Sequence, residues 1–157
     1  MDAVLISVPT KYHAQYIESA AKQGLDIFVE KPVAFESKEI HRLYDFCSKY
    51  GVQLCCGFQR RFDSSYAAAA QAIHDGKIGR PLSAHIFFGD SPCPSLDFLL
   101  SGGNIFTDLA VHDVDFIRWV LQDEVRSVYA TAMSSSVELE KNGIHDNATL
   151  LLKFRKG

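Results

Sequence analysis

The first 57 residues alternate short apolar runs with amphipathic stretches of helical period, and few folds accept a chain patterned in this way. Residues 3–8 read as an apolar strand, as expected of a parallel strand buried on both faces. Pro9 stops that strand, and Thr10 stands where an N-cap would open a helix over 11–22. Ala14, Ile17 and Ala21 mark the buried side of this helix, and Gly24 ends it. Ile27, Phe28 and Val29 form a second strand, closed by Glu30-Lys31-Pro32. Ile40, Leu43, Tyr44 and Cys47 recur at helical spacing between Ser37 and Gly51, and residues 52–56 make a third strand. Strands and helices alternating at these lengths predict βαβ units in a parallel sheet.

The pattern changes after Gly57. Phe58-Gln59-Arg60-Arg61-Phe62-Asp63 leads into an alanine-rich helix over 64–74 that closes at Gly76. A turn at Gly79-Arg80-Pro81 is followed by an expected strand over 82–88, then by a loop over 89–103 that contains Pro92 and Pro94. Ala110, Val114, Ile117 and Leu121 share one face of a helix expected over 108–121. Strands are expected over 125–133 and 148–154, joined by a polar stretch. The fold class is therefore α/β: half of a parallel-sheet domain over residues 1–62, followed by an incomplete α+β domain over 63–157. Both ends read as cut, because an apolar strand begins just after Met1 and the last one stops at Phe154.

Composition removes several functions. Sixteen Lys and Arg against nineteen Asp and Glu give a net charge of −3, too balanced for a protein that neutralises many nucleic-acid phosphates. With 47% hydrophobic residues the chain is too apolar for disorder. No apolar run approaches the roughly 18 residues of a membrane span. Met1 precedes Asp2 rather than a basic segment, so no secretory signal is expected and the protein reads as cytoplasmic. Cys47, Cys55, Cys56 and Cys93 are spaced neither as zinc ligands nor as a disulfide framework, and Cys55 and Cys56 are expected to be buried thiols in a strand.

Two clusters can carry chemistry. Glu30-Lys31-Pro32 follows a parallel strand at its carboxyl end, where open α/β sheets bind ligands, and Pro32 keeps Lys31 out of helical geometry. A solvated charged turn is the other reading of this tripeptide. In the second cluster, Asp108 and His112 are four apart and share a helix face, with Asp115 on the same stripe. A carboxylate beside an imidazole can orient it as a general base, and Gly102-Gly103 permits close backbone approach before the helix. The blander reading makes Asp108 an N-cap and His112 a solvated residue. A metal site built from Asp108, His112 and Asp113 is disfavoured, because Asp113 points off that face. The GxGxxG turn of a dinucleotide site is absent from the sequence.

Taken in order, the motifs resemble the glucose–fructose oxidoreductase, inositol dehydrogenase and MocA (Gfo/Idh/MocA) family of nicotinamide-dependent oxidoreductases. The resemblance rests on Val4-Leu5-Ile6-Ser7-Val8-Pro9-Thr10 with His13, on Val29-Glu30-Lys31-Pro32 and on Gly57-Phe58-Gln59-Arg60-Arg61-Phe62-Asp63. Gly76-Lys77-Ile78-Gly79 and the 102–115 segment complete it, and the last looks most like the inositol 2-dehydrogenase branch. The resemblance implies the C-terminal half of a Rossmann-type domain followed by an incomplete substrate and oligomerisation domain. It implies catalytic roles for Lys31, Asp108 and His112: polarising the reacting oxygen, holding substrate hydroxyls and taking the hydroxyl proton. Pro9, Thr10, His13, Glu30, Lys31 and Gln59 would line the nicotinamide and its ribose, with Arg60 a weaker member, and Asp90 would touch substrate. The implied cofactor is NAD or NADP and the substrate a polyol or sugar, with no metal, nucleic acid or membrane partner and a homo-oligomer for the full-length form. The resemblance starts beyond the phosphate-binding turn, so the chain is expected to be a fragment or short isoform that is inactive alone. A module of another class, catalytically silent and binding a partner or a full-length homologue through its sheet, is the alternative.

Overall fold

The computed structural model describes residues 1–92, 94–100 and 104–156, and the chain divides into two compact units, Met1–Gln59 and Arg60–Gly157. Gly102, Gly103 and Cys93 of the sequence reading lie outside the described residues.

The first unit contains β1 (Ala3–Ile6), α1 (His13–Lys22), β2 (Asp26–Glu30), α2 (Ser37–Lys49) and β3 (Leu54–Gly57). Its strands pair in parallel in the order β1-β2-β3. Val4 lies opposite Ile27 and Ile6 opposite Val29, and the same two β2 residues face Leu54 and Cys56. These side chains share one face, which packs with Ile17, Ala20 and Ala21 of α1 and with Leu43 and Cys47 of α2. Ile17, Val29 and Leu43 are fully buried, and burial of each contributes about 1.5–3 kcal/mol.

The expectation that β1 is buried on both faces fails. Leu5 is 67% exposed, and on the same face Cys55 is exposed and Phe28 half-buried. The cause is topological. The strand order advances in one direction, so successive right-handed crossovers carry α1 and α2 over the same face. The paired-thiol expectation fails with it: Cys55 is exposed and Cys56 half-buried, whereas Cys47 is buried. Burial pushes the Cys47 thiol above its ordinary pKa. Iodoacetamide at about pH 8 is therefore expected to label Cys55 while Cys47 stays unmodified until the chain unfolds. Mass mapping checks this, and equal labelling rates at the two thiols would contradict the packing.

Local rules set the helix ends. Beyond α1 the Leu25 N–H donates to the Ala20 carbonyl at 3.2 Å and the Gly24 N–H to Ala21 at 2.9 Å, with Gly24 at φ +72°. This paired closure needs a left-handed residue, which glycine adopts without a Cβ clash. Val52 and Gly51 close α2 in the same way. Thr10 does not cap α1: the Tyr12 N–H donates to the Pro9 carbonyl at 2.9 Å, which winds Thr10–Tyr12 into a 3-10 turn and delays the α-helix to His13.

A 3-10 turn over Gln59–Phe62 leads to α3 (Ser64–His74), whose first amides, Ser65 and Tyr66, donate to the Asp63 carboxylate at 2.9 and 3.1 Å. A short α4 (Leu96–Leu100) and a single π-helical turn over Phe106–Ala110 precede α5 (Val111–Leu121). The helix expected over 108–121 thus begins earlier and with wider winding. α3 and α5 pack through Tyr66 and Phe116, with edge-to-face rings 5.0 Å apart, and His74 lies 3.2 and 3.1 Å from the last carbonyls of α5, Trp119 and Val120. β4 (Val125–Met133) and β5 (Asn147–Phe154) form an antiparallel pair, and the polar connection between them contains α6 (Val137–Lys141), opened by Ser136. The strand expected over 82–88 is not formed: the segment is irregular and exposed throughout. Its apolar residues suit a strand, but a strand needs a ladder partner, and neither β4 nor β5 pairs with this segment.

Candidate functional site

Because β1, β2 and β3 are parallel, their carboxyl ends share one edge of the sheet, and each delivers a sequence-predicted residue there. β1 leads to Pro9 and Thr10, β2 ends in Glu30 and leads to Lys31 and Pro32, and β3 leads to Phe58 and Gln59. The peptide bond between Lys31 and Pro32 is cis. The Lys31 N–H donates to the Glu30 carboxylate at 3.2 Å, and the lysine is half-buried. At the end of β3 the Phe28 ring packs close over Gly57, where a Cβ would come within 3.1 Å of it.

His13 is also at this edge, but inside it. The side chain is 1% exposed, with Nδ1 2.9 Å from the Pro32 carbonyl oxygen and Nε2 2.8 Å from that of Val8. Both ring nitrogens of this residue, which the resemblance places among those lining the cofactor, lie against backbone carbonyls of the two loops. Thr10, Glu30, Lys31 and Gln59 remain as a hydroxyl, a carboxylate, an ammonium and an amide along one sheet edge. That donor and acceptor set fits a ribose diol and a carboxamide, the groups of a nicotinamide nucleoside.

The second cluster is built in the other unit. Asn104 opens its helix: its side-chain oxygen accepts from the Phe106 and Thr107 amides at 2.9 and 3.0 Å, and the Asp108 N–H donates to its carbonyl at 2.9 Å. Asp108 is thereby relieved of the capping role that the blander reading gave it. It lies within the π turn, and such turns cluster at functional sites. His112 stands in the first turn of α5 at 7% exposure, so it is not the solvated imidazole of that reading.

Arg60 and Arg61 fasten the turn that carries His112. Arg60, 7% exposed, pairs with Asp113, and its guanidinium lies 5.4 Å from the Tyr66 ring centre and 4.7 Å from that of Phe88. Arg61 forms two bonds to Asp115, at 2.8 and 2.7 Å. Donating to the Asp115 carboxylate raises the Arg61 pKa above its ordinary value. Asp115, expected on the Asp108–His112 stripe, is thus committed to Arg61, and the guanidinium of Arg60, a weaker cofactor candidate, to Asp113. The sequence reading missed both pairings, although an Arg-Arg dipeptide and an Asp-x-Asp of opposite charge were available as a signal. Asp90 lies on the irregular exposed segment. Among the described residues no three His, Cys, Asp or Glu side chains are grouped to hold a metal, and no helix is long and apolar enough to cross a membrane.

Comparison with known proteins covers the chain from end to end. Residues 1–58 match the oxidoreductase family with an NAD-binding Rossmann fold, and residues 66–157 match the GFO/IDH/MocA C-terminal domain. The chain is 33% identical to a myo-inositol 2-dehydrogenase of Thermotoga maritima and 35% identical to an inositol 2-dehydrogenase of Rhizobium meliloti, each match covering 100% of this chain. It is similar in structure to a scyllo-inositol dehydrogenase from Lactobacillus casei solved with bound NAD(H) and scyllo-inositol, with TM-score 0.84, 31% identity and 99% of this chain covered. The chain spans about half the length of these relatives: 47%, 48% and 48%. With both halves of the chain matched in order, and with the strand-end lysine and the buried helix-borne histidine in the matched segments, this protein belongs to the Gfo/Idh/MocA family of oxidoreductases.

Proposed function

We propose that this chain carries the catalytic half of an NAD-dependent dehydrogenase that oxidises a secondary alcohol of a cyclitol or related sugar. The end-to-end likeness to a scyllo-inositol dehydrogenase holding both NAD(H) and its cyclitol carries the reading. Thr10, Glu30, Lys31 and Gln59 would hold the nicotinamide and its ribose, beside the backbone of Pro9. When bound, the cofactor supplies the hydride acceptor. Lys31 places a positive charge at the reacting oxygen, where charge develops as the hydroxyl proton leaves. His112 takes that proton, and its burial keeps bulk water from competing for it. Asp108, on the π turn before it, accepts hydrogen bonds from neighbouring substrate hydroxyls. A polyol suits this arrangement because it offers both an oxidisable hydroxyl and vicinal hydroxyls for a carboxylate. Domains at 1–62 and 63–157, a cytoplasmic location and homo-oligomeric assembly of the full-length form belong to the same proposal.

A second reading has an observation of its own. The sheet face bearing Leu5 and Cys55 is uncovered within its unit, which suits a silent module that docks on a partner. A chimera separates the two readings. Residues 1–157 would replace the matching segment of the Thermotoga maritima enzyme, and the product would be assayed for NAD+ reduction with myo- and scyllo-inositol. Inositol-dependent NADH formation is expected. A folded chimera that binds NADH yet oxidises neither cyclitol would overturn the dehydrogenase reading.

A further inference from the structure

We infer that His13 is a positioning residue that latches the loop after β2 to the loop after β1, and so sets where Lys31 stands at the sheet edge. The inference rests on the reading of Lys31 as the group that polarises the reacting oxygen. His13 is the first residue of α1, and its ring is 1% exposed. Nδ1 reaches the carbonyl of Pro32, the residue after Lys31, at 2.9 Å. Nε2 reaches the carbonyl of Val8, just before Pro9 and Thr10, at 2.8 Å. One rigid ring therefore spans the two loops that carry most of the strand-end residues of this site.

The two loops need such a link, because the β1–β2 ladder ends at the pairing of Ile6 with Val29 and no ladder bond lies beyond it. The 3-10 turn bonds the Tyr12 amide to Pro9, which tightens the first loop locally but does not reach the second. The ring also meets a half-buried carbonyl in each loop, and a backbone carbonyl drawn out of water without a donor costs free energy comparable to a lost hydrogen bond. Imidazole suits the task in shape, since its two nitrogens lie on opposite edges of a plane with few rotatable bonds, and the ring donates to both carbonyls when each nitrogen carries a proton. Val33 and Ala34, which follow Pro32, are buried in the same core as Ile17. The latch thus couples the catalytic loop to α1 rather than to solvent.

The test uses the whole chain, isotopically labelled, with backbone amides assigned by NMR. His13→Ala is expected to displace the amide resonances of Thr10, Lys31 and Val33 together, and His13→Gln, which keeps a donor, to return one loop's resonances toward their original positions. Ile17→Ala, one turn along the same helix and also fully buried, serves as the comparison for general loss of packing. It is expected to lower the melting temperature without moving the Lys31 and Thr10 amides as a pair. Should His13→Ala fail to fold, the unaltered chain still decides the matter. Two slowly exchanging ring N–H protons, one on Nδ1 with nuclear Overhauser contacts to Pro32 and one on Nε2 with contacts to Val8, support the latch, and a ring with a single N–H proton or with protons in rapid exchange with water overturns it. Displacement of the Lys31 and Thr10 amides equally by His13→Ala and Ile17→Ala also overturns it. None of these readouts depends on turnover, so an inactive chimera would defeat the dehydrogenase reading and leave the latch standing.

Discussion

Replacing His112 by alanine in the chimera is expected to lower the turnover number by about 10²-fold or more, the low end for loss of a general acid–base group. Lys31→Ala is expected to do the same, because in the proposed reaction a developing alkoxide then loses the positive charge assigned to this lysine. The two variants should differ in cofactor affinity. Lys31 stands among the strand-end residues with Thr10 and Glu30, whereas the proposed role of His112 is toward the substrate, so His112→Ala should leave NADH binding nearly unchanged. Asp108→Asn should raise the Michaelis constant for a polyol as well as slow turnover. Steady-state kinetics across about pH 6 to 9, with NADH binding followed by nicotinamide fluorescence, checks all three. A His112→Ala enzyme with near-original turnover over that range would remove the imidazole from the chemistry.

The second large effect concerns stability. Removing the Arg61 side chain leaves the Asp115 carboxylate charged at 8% exposure with its two bonds gone. Breaking a fully buried pair costs about 3–5 kcal/mol, but the Arg61 side chain is 42% exposed and solvent weakens the interaction. Arg61→Ala is therefore expected to destabilise the chain by about 2 kcal/mol. The double change of Arg61→Ala with Asp115→Ala should recover part of that loss, since the stranded charge is then gone. Arg42 provides the contrast. It bonds to Glu39 and Glu18 at 2.7 Å, but its side chain is 47% exposed, and Arg42→Ala should cost less than about 1 kcal/mol. Urea unfolding of the three variants measures the ranking. Equal losses at Arg61 and Arg42 would show that burial of Asp115 contributes nothing.

The candidate site was legible in the sequence to the extent that its residues are placed by local rules. Lys31 follows an apolar strand and precedes a proline, which was enough to put it at a parallel strand's carboxyl end. Asp108 and His112 could be assigned to one helix from spacing, but the π turn that contains Asp108 could not, since an i→i+5 winding leaves no mark in hydrophobic period. The roles of Arg60 and Arg61 were hidden for another reason. Their partners Asp113 and Asp115 lie 53 and 54 residues along the chain, beyond the reach of any periodicity.

The sequence by itself determined the βαβ alternation of the first unit and the stopping points of its helices. Apolar runs, helical spacing and glycines at positive φ act within a few residues of one another, so nothing distant was needed to read Gly24 and Gly51 as terminators. Tertiary structure alone decided which face of the sheet is covered. The run that begins at Ala3 is apolar on both sides, but the direction of strand order sends both helices over Ile6 and leaves Leu5 exposed. It also decided that residues 82–88 form no strand, because a ladder needs a second strand that local propensity does not supply. The place of His13 was decided in the same way. No local rule in the sequence could show that the fold brings the Val8 and Pro32 carbonyls, 5 and 19 residues away, to the two nitrogens of its buried ring.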